Sequence, residues 1–187
     1  MDASNLHPLT VADISALGRD DFVARLGDIF EHSPWVAERA WVQRPFRDVD
    51  ALHAAMAAAV DNATATEQLA LIRAHPELAG REAAAGTLTA ASTGEQRGAG
   101  LDRCSAEELA RLRSLNAAYR ERFGFPFVIA VKGRSRYEIM DIIEARLKSD
   151  ADTEFRTCLD EIAKIGRLRL DALFARATFP MHTTTAA

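Results

Sequence analysis

Hydrophobic residues recur at intervals of three and four along most of the chain, which is the spacing of amphipathic α-helices. In residues 21–31, for example, Phe22, Leu26, Ile29 and Phe30 fall on one helical face. The alanine- and leucine-rich segments 50–60 and 66–75 contain no glycine or proline and also predict helices. We therefore predict an all-α helical bundle with roughly seven to nine helices, given the usual length of helices.

Capping signals predict where several of these helices begin and end. Ser33 followed by Pro34 is typical of an N-cap and the first helical position. Ser105 and Glu108 have the spacing of a capping box, and the helix that they begin is expected to end at Gly124. Two further amphipathic segments, residues 135–149 and 153–177, predict the last two helices.

Two segments depart from the helical pattern. Residues 80–100 contain five of the ten glycines and several Ser and Thr residues, which favours loops and short helical turns. The sequence FPFVIAV, residues 125–131, is aromatic and β-branched and predicts one short extended segment. We find no second run of this kind that could pair with it, so its backbone amides and carbonyls need other partners.

Length and composition indicate a single domain over residues 1–187, with 48% hydrophobic residues and a flexible tail at 179–187. The net charge of -4, from 23 basic and 27 acidic residues spread along the chain, argues against nucleic acid as a partner. A DNA-binding regulator would also need a basic recognition helix, and residues 111–123 are offset by acidic neighbours.

The sequence contains no recognisable signal peptide and no apolar run of about 18 residues, so we expect a cytoplasmic protein without membrane contact. Cys104 and Cys158 lie far apart and outside any CxxC motif, which suits a reducing compartment.

The usual motifs for metal and cofactor chemistry are absent from the sequence. The five histidines form no HExxH or ExxH pair, and no GxGxxG, P-loop or GxSxG motif is present. We therefore expect no metal and no cofactor, which leaves acid and base chemistry by side chains.

His75 is the strongest candidate for that chemistry. It directly precedes Pro76, which disfavours helical geometry at His75 and so places the imidazole where a helix ends. Imidazole exchanges protons near neutral pH. A purely structural histidine, hydrogen-bonded at the helix end, is the alternative from local sequence alone.

A second candidate cluster lies twenty residues further on, in STGEQRGAGL. Ser92, Glu95 and Gln96 combine one charge with two neutral hydrogen-bonding groups, which suits a polar small molecule rich in amides. The alternative is a solvated loop with an N-cap at Ser92.

Several ordered motifs together resemble the OHCU decarboxylase family over about residues 10–178. They are FEHSPWVAERAW with RPF, AHPELAG, STGEQRGAGL, FGFPFVIAVKGRS and EIAKIGRLRL. The resemblance implies an all-helical homodimer without a cofactor. It also implies conversion of 2-oxo-4-hydroxy-4-carboxy-5-ureidoimidazoline (OHCU) to (S)-allantoin with loss of carbon dioxide, the last step of urate degradation.

The resemblance assigns roles to particular residues. His75 corresponds to the essential histidine, and we pair it with Glu95 as the catalytic residues. The corresponding substrate-binding residues are Pro76, Ser92, Gln96, Phe127, Val128, Ile129, Ala130, Val131 and Arg169, with Arg167 as the alternative arginine. Backbone groups of residues 127–131 that lack strand partners would then bind the amides of the substrate. A helical ligand-sensing or scaffold domain that kept the pocket without turnover is the competing interpretation.

Overall fold

The computed structural model describes residues 6–176 and 178–180, which fall into two compact units. The first unit comprises Met1–Asn62 and Gly166–Ala187, and the second comprises Ala63–Ile165. The all-α prediction is confirmed, because the described residues form ten α-helices. The single domain proposed from chain length stays a prediction. The helices are α1 (Val11–Ala16), α2 (Arg19–Leu26), α3 (Pro34–Trp41), α4 (Val49–Asp61), α5 (Ala65–Ala74), α6 (Arg81–Ala85), α7 (Ala90–Gly98), α8 (Ala106–Phe123), α9 (Arg136–Arg146) and α10 (Ala151–Arg176).

Two short strands accompany the helices, and the sequence pattern does not predict them. Strand β1 (Leu6–Pro8) pairs antiparallel with β2 (Thr178–Pro180), with His7 opposite Phe179. Of the tail predicted at 179–187, Phe179 and Pro180 belong to β2, and residues 181–187 lie outside the described part of the chain.

The first unit contains α1 to α4 and the end of α10. Residues 21–31 do not form one helix, because α2 ends at Leu26 and Gly27 is its C-cap. The following turn is closed by a hydrogen bond of 3.1 Å from the Ile29 amide to the Leu26 carbonyl. Phe22, Leu26 and Phe30 are nevertheless buried, so the helical spacing identifies the buried residues although the helix is shorter.

Helix α3 begins at Pro34 as predicted, with Ser33 at the N-cap position. The hydroxyl of Ser33 does not cap the helix, however. It donates to the carbonyl of Glu31 at 3.0 Å, which stabilises the preceding turn instead. Ser33 therefore occupies the N-cap position of α3 without forming the capping hydrogen bond.

The second unit contains α5 to α9 and the first part of α10. Capping boxes begin α5, α8 and α9, the predicted box of Ser105 and Glu108 among them. Helix α8 ends at Gly124, whose φ of 77° requires the left-handed conformation that glycine adopts without strain. Between α5 and α8 lie the short helices α6 and α7, as the glycine-rich segment predicts.

Residues 126–131 carry no helix or strand assignment, so the segment has no strand partner, and its extended conformation stays a prediction. Four of its residues, Phe127, Val128, Ile129 and Val131, are buried. We call residues 127–131 the strip. Among the described residues, no helix is long and apolar enough to cross a membrane.

Gly166 of α10 allows a close approach of an aromatic ring. A β-carbon at this position would lie 2.9 Å from Cε2 and Cζ of Phe30, whose side chain is fully buried. Gly94 of α7 provides the matched contrast, because a β-carbon there would meet nothing within 4 Å.

We expect Gly166→Ala to lower the free energy of unfolding by about 1–3 kcal/mol, because the added methyl overpacks against Phe30. Gly94→Ala, also within a helix, should raise it by about 0.5–1 kcal/mol through higher helix propensity. Urea denaturation of both variants measures the difference. Equal stability of Gly166→Ala and the wild type would contradict the close contact.

Candidate active site

Helix α5 positions His75 at its C-terminal end. The helix begins with the capping box of Thr64 and Glu67 and buries Leu71 and Ile72. His75 is the C-cap, with φ −76° and ψ 132°, so the chain leaves the helix there, as the following Pro76 predicts. The side chain is buried, with 6% of its residue surface exposed.

A hydrogen bond determines which nitrogen of His75 carries the proton. Nδ1 lies 2.9 Å from the carbonyl oxygen of Leu71. A carbonyl oxygen can only accept, so Nδ1 is the protonated nitrogen that donates. In the neutral ring Nε2 therefore holds the lone pair, which is the arrangement that a general base requires.

The loop after His75, residues 76–80, is held by side chains from two helices. Gln96 of α7 accepts from the amide of Ala79 at 2.9 Å and donates to the carbonyl of Glu77 at 3.4 Å. Asn116 of α8 donates to the carbonyl of Leu78 at 3.0 Å. Ala79 has a φ of 50°, a left-handed conformation that a residue with a β-carbon rarely adopts. These bonds stabilise the unusual turn directly after His75.

Helix α7 places the three predicted residues of the STGEQ motif on one face. Ser92 and Gln96 lie one turn apart and are buried, while Glu95 beside them is partly exposed. The alternative role for Ser92, an N-cap, is wrong: Thr89 is the N-cap and its hydroxyl accepts from the amide of Ser92 at 3.2 Å. The hydroxyl of Ser92 is thus not used to begin the helix.

The strip is hydrogen-bonded to side chains of α9 and α10 that lie largely in the interior. Arg146 of α9 donates to the carbonyl of Val128 at 2.9 Å, and Glu161 of α10 accepts from the amide of Ala130 at 2.8 Å. In a trans peptide the C=O and N–H groups point in opposite directions. The intervening Ile129 consequently points away from these partners, and its backbone forms no hydrogen bond with any residue that the structure describes.

A polar cluster of Tyr119, Arg146 and Glu154 packs beside the strip. Glu154 accepts from the hydroxyl of Tyr119 and, at 2.8 Å, from Nε of Arg146. The guanidinium of Arg146 also lies 4.5 Å from the ring centroid of Phe127. Burial raises the pKa of both the Tyr119 hydroxyl and the Cys158 thiol, so these groups stay protonated and neutral near pH 7.

Helix α8 brings the histidine loop and the strip close together. Asn116 bonds the loop at Leu78, and Tyr119, three residues later, packs edge-on against Phe127 with centroids 5.2 Å apart. Three residues along a helix span only about 4.5 Å. One region of the second unit therefore contains the loop that follows His75, the buried face of α7 and the strip.

A cleft of about 640 Å³ borders the same loop on its α6 and α8 side. Its lining includes Glu77, Arg113, Asn116 and Arg120. The Oδ1 atom of Asn116 is buried and accepts no hydrogen bond from the described residues. The cleft thus lies beside the loop that follows His75.

The two candidate arginines of α10 lie in the first unit. Arg169 is buried and forms an ion pair of 2.7 Å with the buried carboxylate of Glu31. Arg167 is more exposed and pairs with Asp50 and, at 2.9 Å, with Asp171. Burial thus distinguishes the two, and Arg169 is the one held in the interior.

Sequence patterns did not single out Asn116, Arg146 or Glu161. The buried face of α8 consists of Leu112, Asn116 and Tyr119, so a polar residue at a core position of the helix was the available signal. Arg146 and Glu161 look like ordinary charges on amphipathic helices. Among the described residues, no group of three or more His, Cys, Asp or Glu side chains is arranged to hold a metal ion.

Comparison with known proteins supports the resemblance seen in the sequence. The sequence model of a family described as OHCU decarboxylase matches residues 15–171. The chain is 46% identical over 170 residues to 2-oxo-4-hydroxy-4-carboxy-5-ureidoimidazoline decarboxylase of Haloferax volcanii, covering 91% of this chain and 99% of the relative. Identity to the protein of the same name from Halalkalicoccus jeotgali is 42%, covering 88% and 92%.

A solved structure agrees with these sequence matches. The crystal structure of (S)-allantoin synthase superimposes with a TM-score of 0.69 at 28% identity, over 88% of this chain and 54% of that chain, so the protein spans about half of that structure. The matching motifs, the family model and the relatives at more than 40% identity lead to one conclusion: this chain belongs to the OHCU decarboxylase family.

Proposed function

We propose that this protein is an enzyme that decarboxylates OHCU to (S)-allantoin in the breakdown of urate. The observation that carries the proposal is the buried His75, whose Nδ1–H is held by the Leu71 carbonyl so that Nε2 is the nitrogen that exchanges protons. This histidine lies in a chain that is 46% identical to a relative named for this decarboxylation.

The substrate supplies its own electron sink. Its carboxylate is attached to a ring carbon that adjoins a C=N bond. When the carbon–carbon bond to the carboxylate breaks, the electron pair forms a new C=C bond and the C=N pair moves onto nitrogen. The reaction therefore needs no cofactor, because the step for which decarboxylases use an external electron acceptor takes place within the ring.

His75 manages the proton in this scheme. Neutral Nε2 accepts the proton of the ring hydroxyl as carbon dioxide leaves, and the ring nitrogen that receives the electron pair takes a proton from solvent. The imidazolium then returns a proton to the neighbouring ring carbon that carries the ureido group, and the hydroxyl oxygen becomes the carbonyl of allantoin. Because His75 is fixed on one side of the ring, protonation from that side gives a single enantiomer.

The remaining site residues bind and orient the substrate. Glu95 and Ser92 face it from α7, and the backbone of the strip bonds its ureido and ring amides at Ile129. Pro76 borders the ring, and Gln96 contributes also through the loop 77–79 that its amide holds. Arg169 is our candidate for the family arginine, supported by the burial of its guanidinium.

We further infer a homodimer in the cytoplasm. The dimer rests on the family resemblance, and the compartment on two cysteines, Cys104 and Cys158, that are not joined in a disulfide. Light scattering after size exclusion should give twice the chain mass of 20.5 kDa. A mass of 20.5 kDa at micromolar concentration would contradict the dimer.

Replacing His75 tests its role directly. We expect His75→Asn to lower kcat by about 100-fold or more, because the side chain that moves the proton is lost. His53→Asn in α4 is the matched control and should retain wild-type turnover. Far-UV circular dichroism establishes that both variants are folded, and turnover of His75→Asn within a few-fold of the wild type would remove His75 from the mechanism.

The stereochemistry of the product tests the reaction itself. OHCU generated in the cuvette from urate should become optically active allantoin of one enantiomer when the protein is added, as followed by circular dichroism. Product that forms only at the uncatalysed rate, without optical activity, would instead favour a helical ligand-binding domain without turnover.

A further inference from the structure

Ile129 lies between two peptide groups that are each bonded to a charged side chain, of which Glu161 is buried and Arg146 largely so. One peptide group joins the carbonyl of Val128 to the amide of Ile129, and Arg146 donates to its oxygen at 2.9 Å. The next joins the carbonyl of Ile129 to the amide of Ala130, and Glu161 accepts from its N–H at 2.8 Å. A cation thus acts on one side of Ile129 and an anion on the other.

Peptide geometry determines the direction of the Ile129 groups. Both peptide bonds are trans, since the cis bond of the described chain is Arg44–Pro45. In a trans peptide the C=O and N–H point in opposite directions. The amide of Ile129 therefore points away from Arg146, and its carbonyl points away from Glu161. Ile129 therefore directs one donor and one acceptor away from these two charged partners.

The charges also change the strength of these two groups. A hydrogen bond to one end of a peptide group polarises the other end, and the effect is larger when the partner is ionised and buried. Arg146 makes the amide of Ile129 a stronger donor, and Glu161 makes its carbonyl a stronger acceptor. Residue exposure is only 6% for Glu161, and the side chain of Arg146 is 12% exposed, so water screens neither bond strongly.

We propose that Glu161 and Arg146 are positioning residues that hold and polarise the peptide groups on either side of Ile129. Ile129 then presents a paired donor and acceptor to an amide or ureido group of the substrate. This rests on the proposed function, in which the strip binds the substrate, and it extends that function to two side chains that need not touch the substrate.

Glu161 is the better residue to test, because Arg146 also neutralises the buried Glu154 and its loss would leave that charge uncompensated. Glu161→Gln keeps an oxygen that can accept from Ala130 but removes the charge. Glu161→Leu removes both. Glu161 also pairs with Lys164 at 2.6 Å, so Lys164→Met is the matched control that removes this ion pair and leaves the bond to the strip intact.

We expect Glu161→Gln to raise KM by about 5-fold and Glu161→Leu by about 30-fold, with a smaller change in kcat, and Lys164→Met to behave as the wild type. The order of the three variants separates polarisation from a general loss of folding. A KM for Glu161→Leu within 2-fold of the wild type, or a loss confined to kcat, would overturn the proposal.

A measurement without turnover separates this inference from the proposed function. In ¹⁵N-labelled protein, (S)-allantoin should shift the backbone amide resonance of Ile129 downfield, and by less in Glu161→Gln than in the wild type. An Ile129 resonance that does not respond would overturn the inference even where the wild type produces (S)-allantoin. Wild-type protein that binds (S)-allantoin at Ile129 but does not consume OHCU would overturn the function alone and support the inference.

Discussion

Buried backbone that is not helical must find hydrogen-bond partners, and the second unit is organised around this constraint. Both the loop 76–80 and the strip 127–131 are irregular segments in or near the interior. Side chains of α7, α8, α9 and α10 satisfy their backbone, through Gln96 and Asn116 for the loop and through Arg146 and Glu161 for the strip. The helices thereby hold two segments that have no regular structure of their own and that border the proposed site.

In both segments, one polar group is hydrogen-bonded to the protein and its neighbour is directed elsewhere. Along the strip, the backbone of Val128 and Ala130 is bonded to the protein, while that of Ile129 is directed the other way. At the loop, Nδ1 of His75 is bonded to Leu71, which assigns the lone pair to Nε2. In both places one bond to the protein determines the orientation of the group that we propose acts on the substrate.

Local sequence was sufficient for features that depend on neighbouring residues. Pro76 predicts the end of α5 at His75, the Ser105 and Glu108 spacing predicts the start of α8, and the composition of residues 125–131 predicts an extended segment. The prediction of one helix over residues 21–31 was wrong, because the helical spacing of hydrophobic residues continues past Gly27, where the chain turns. The partners of the strip could not be read from sequence, since Glu161 lies 31 residues from Ala130 and the pairing depends on the fold.

The hydrogen bond between His75 and Leu71 constrains the evolution of this protein. The Leu71 carbonyl is one of the last carbonyls of α5, which a helix leaves without internal partners. The imidazole that satisfies it is also the proposed catalyst, so one side chain completes the helix and moves the proton. Selection for a stable fold and selection for a working enzyme therefore both act on His75.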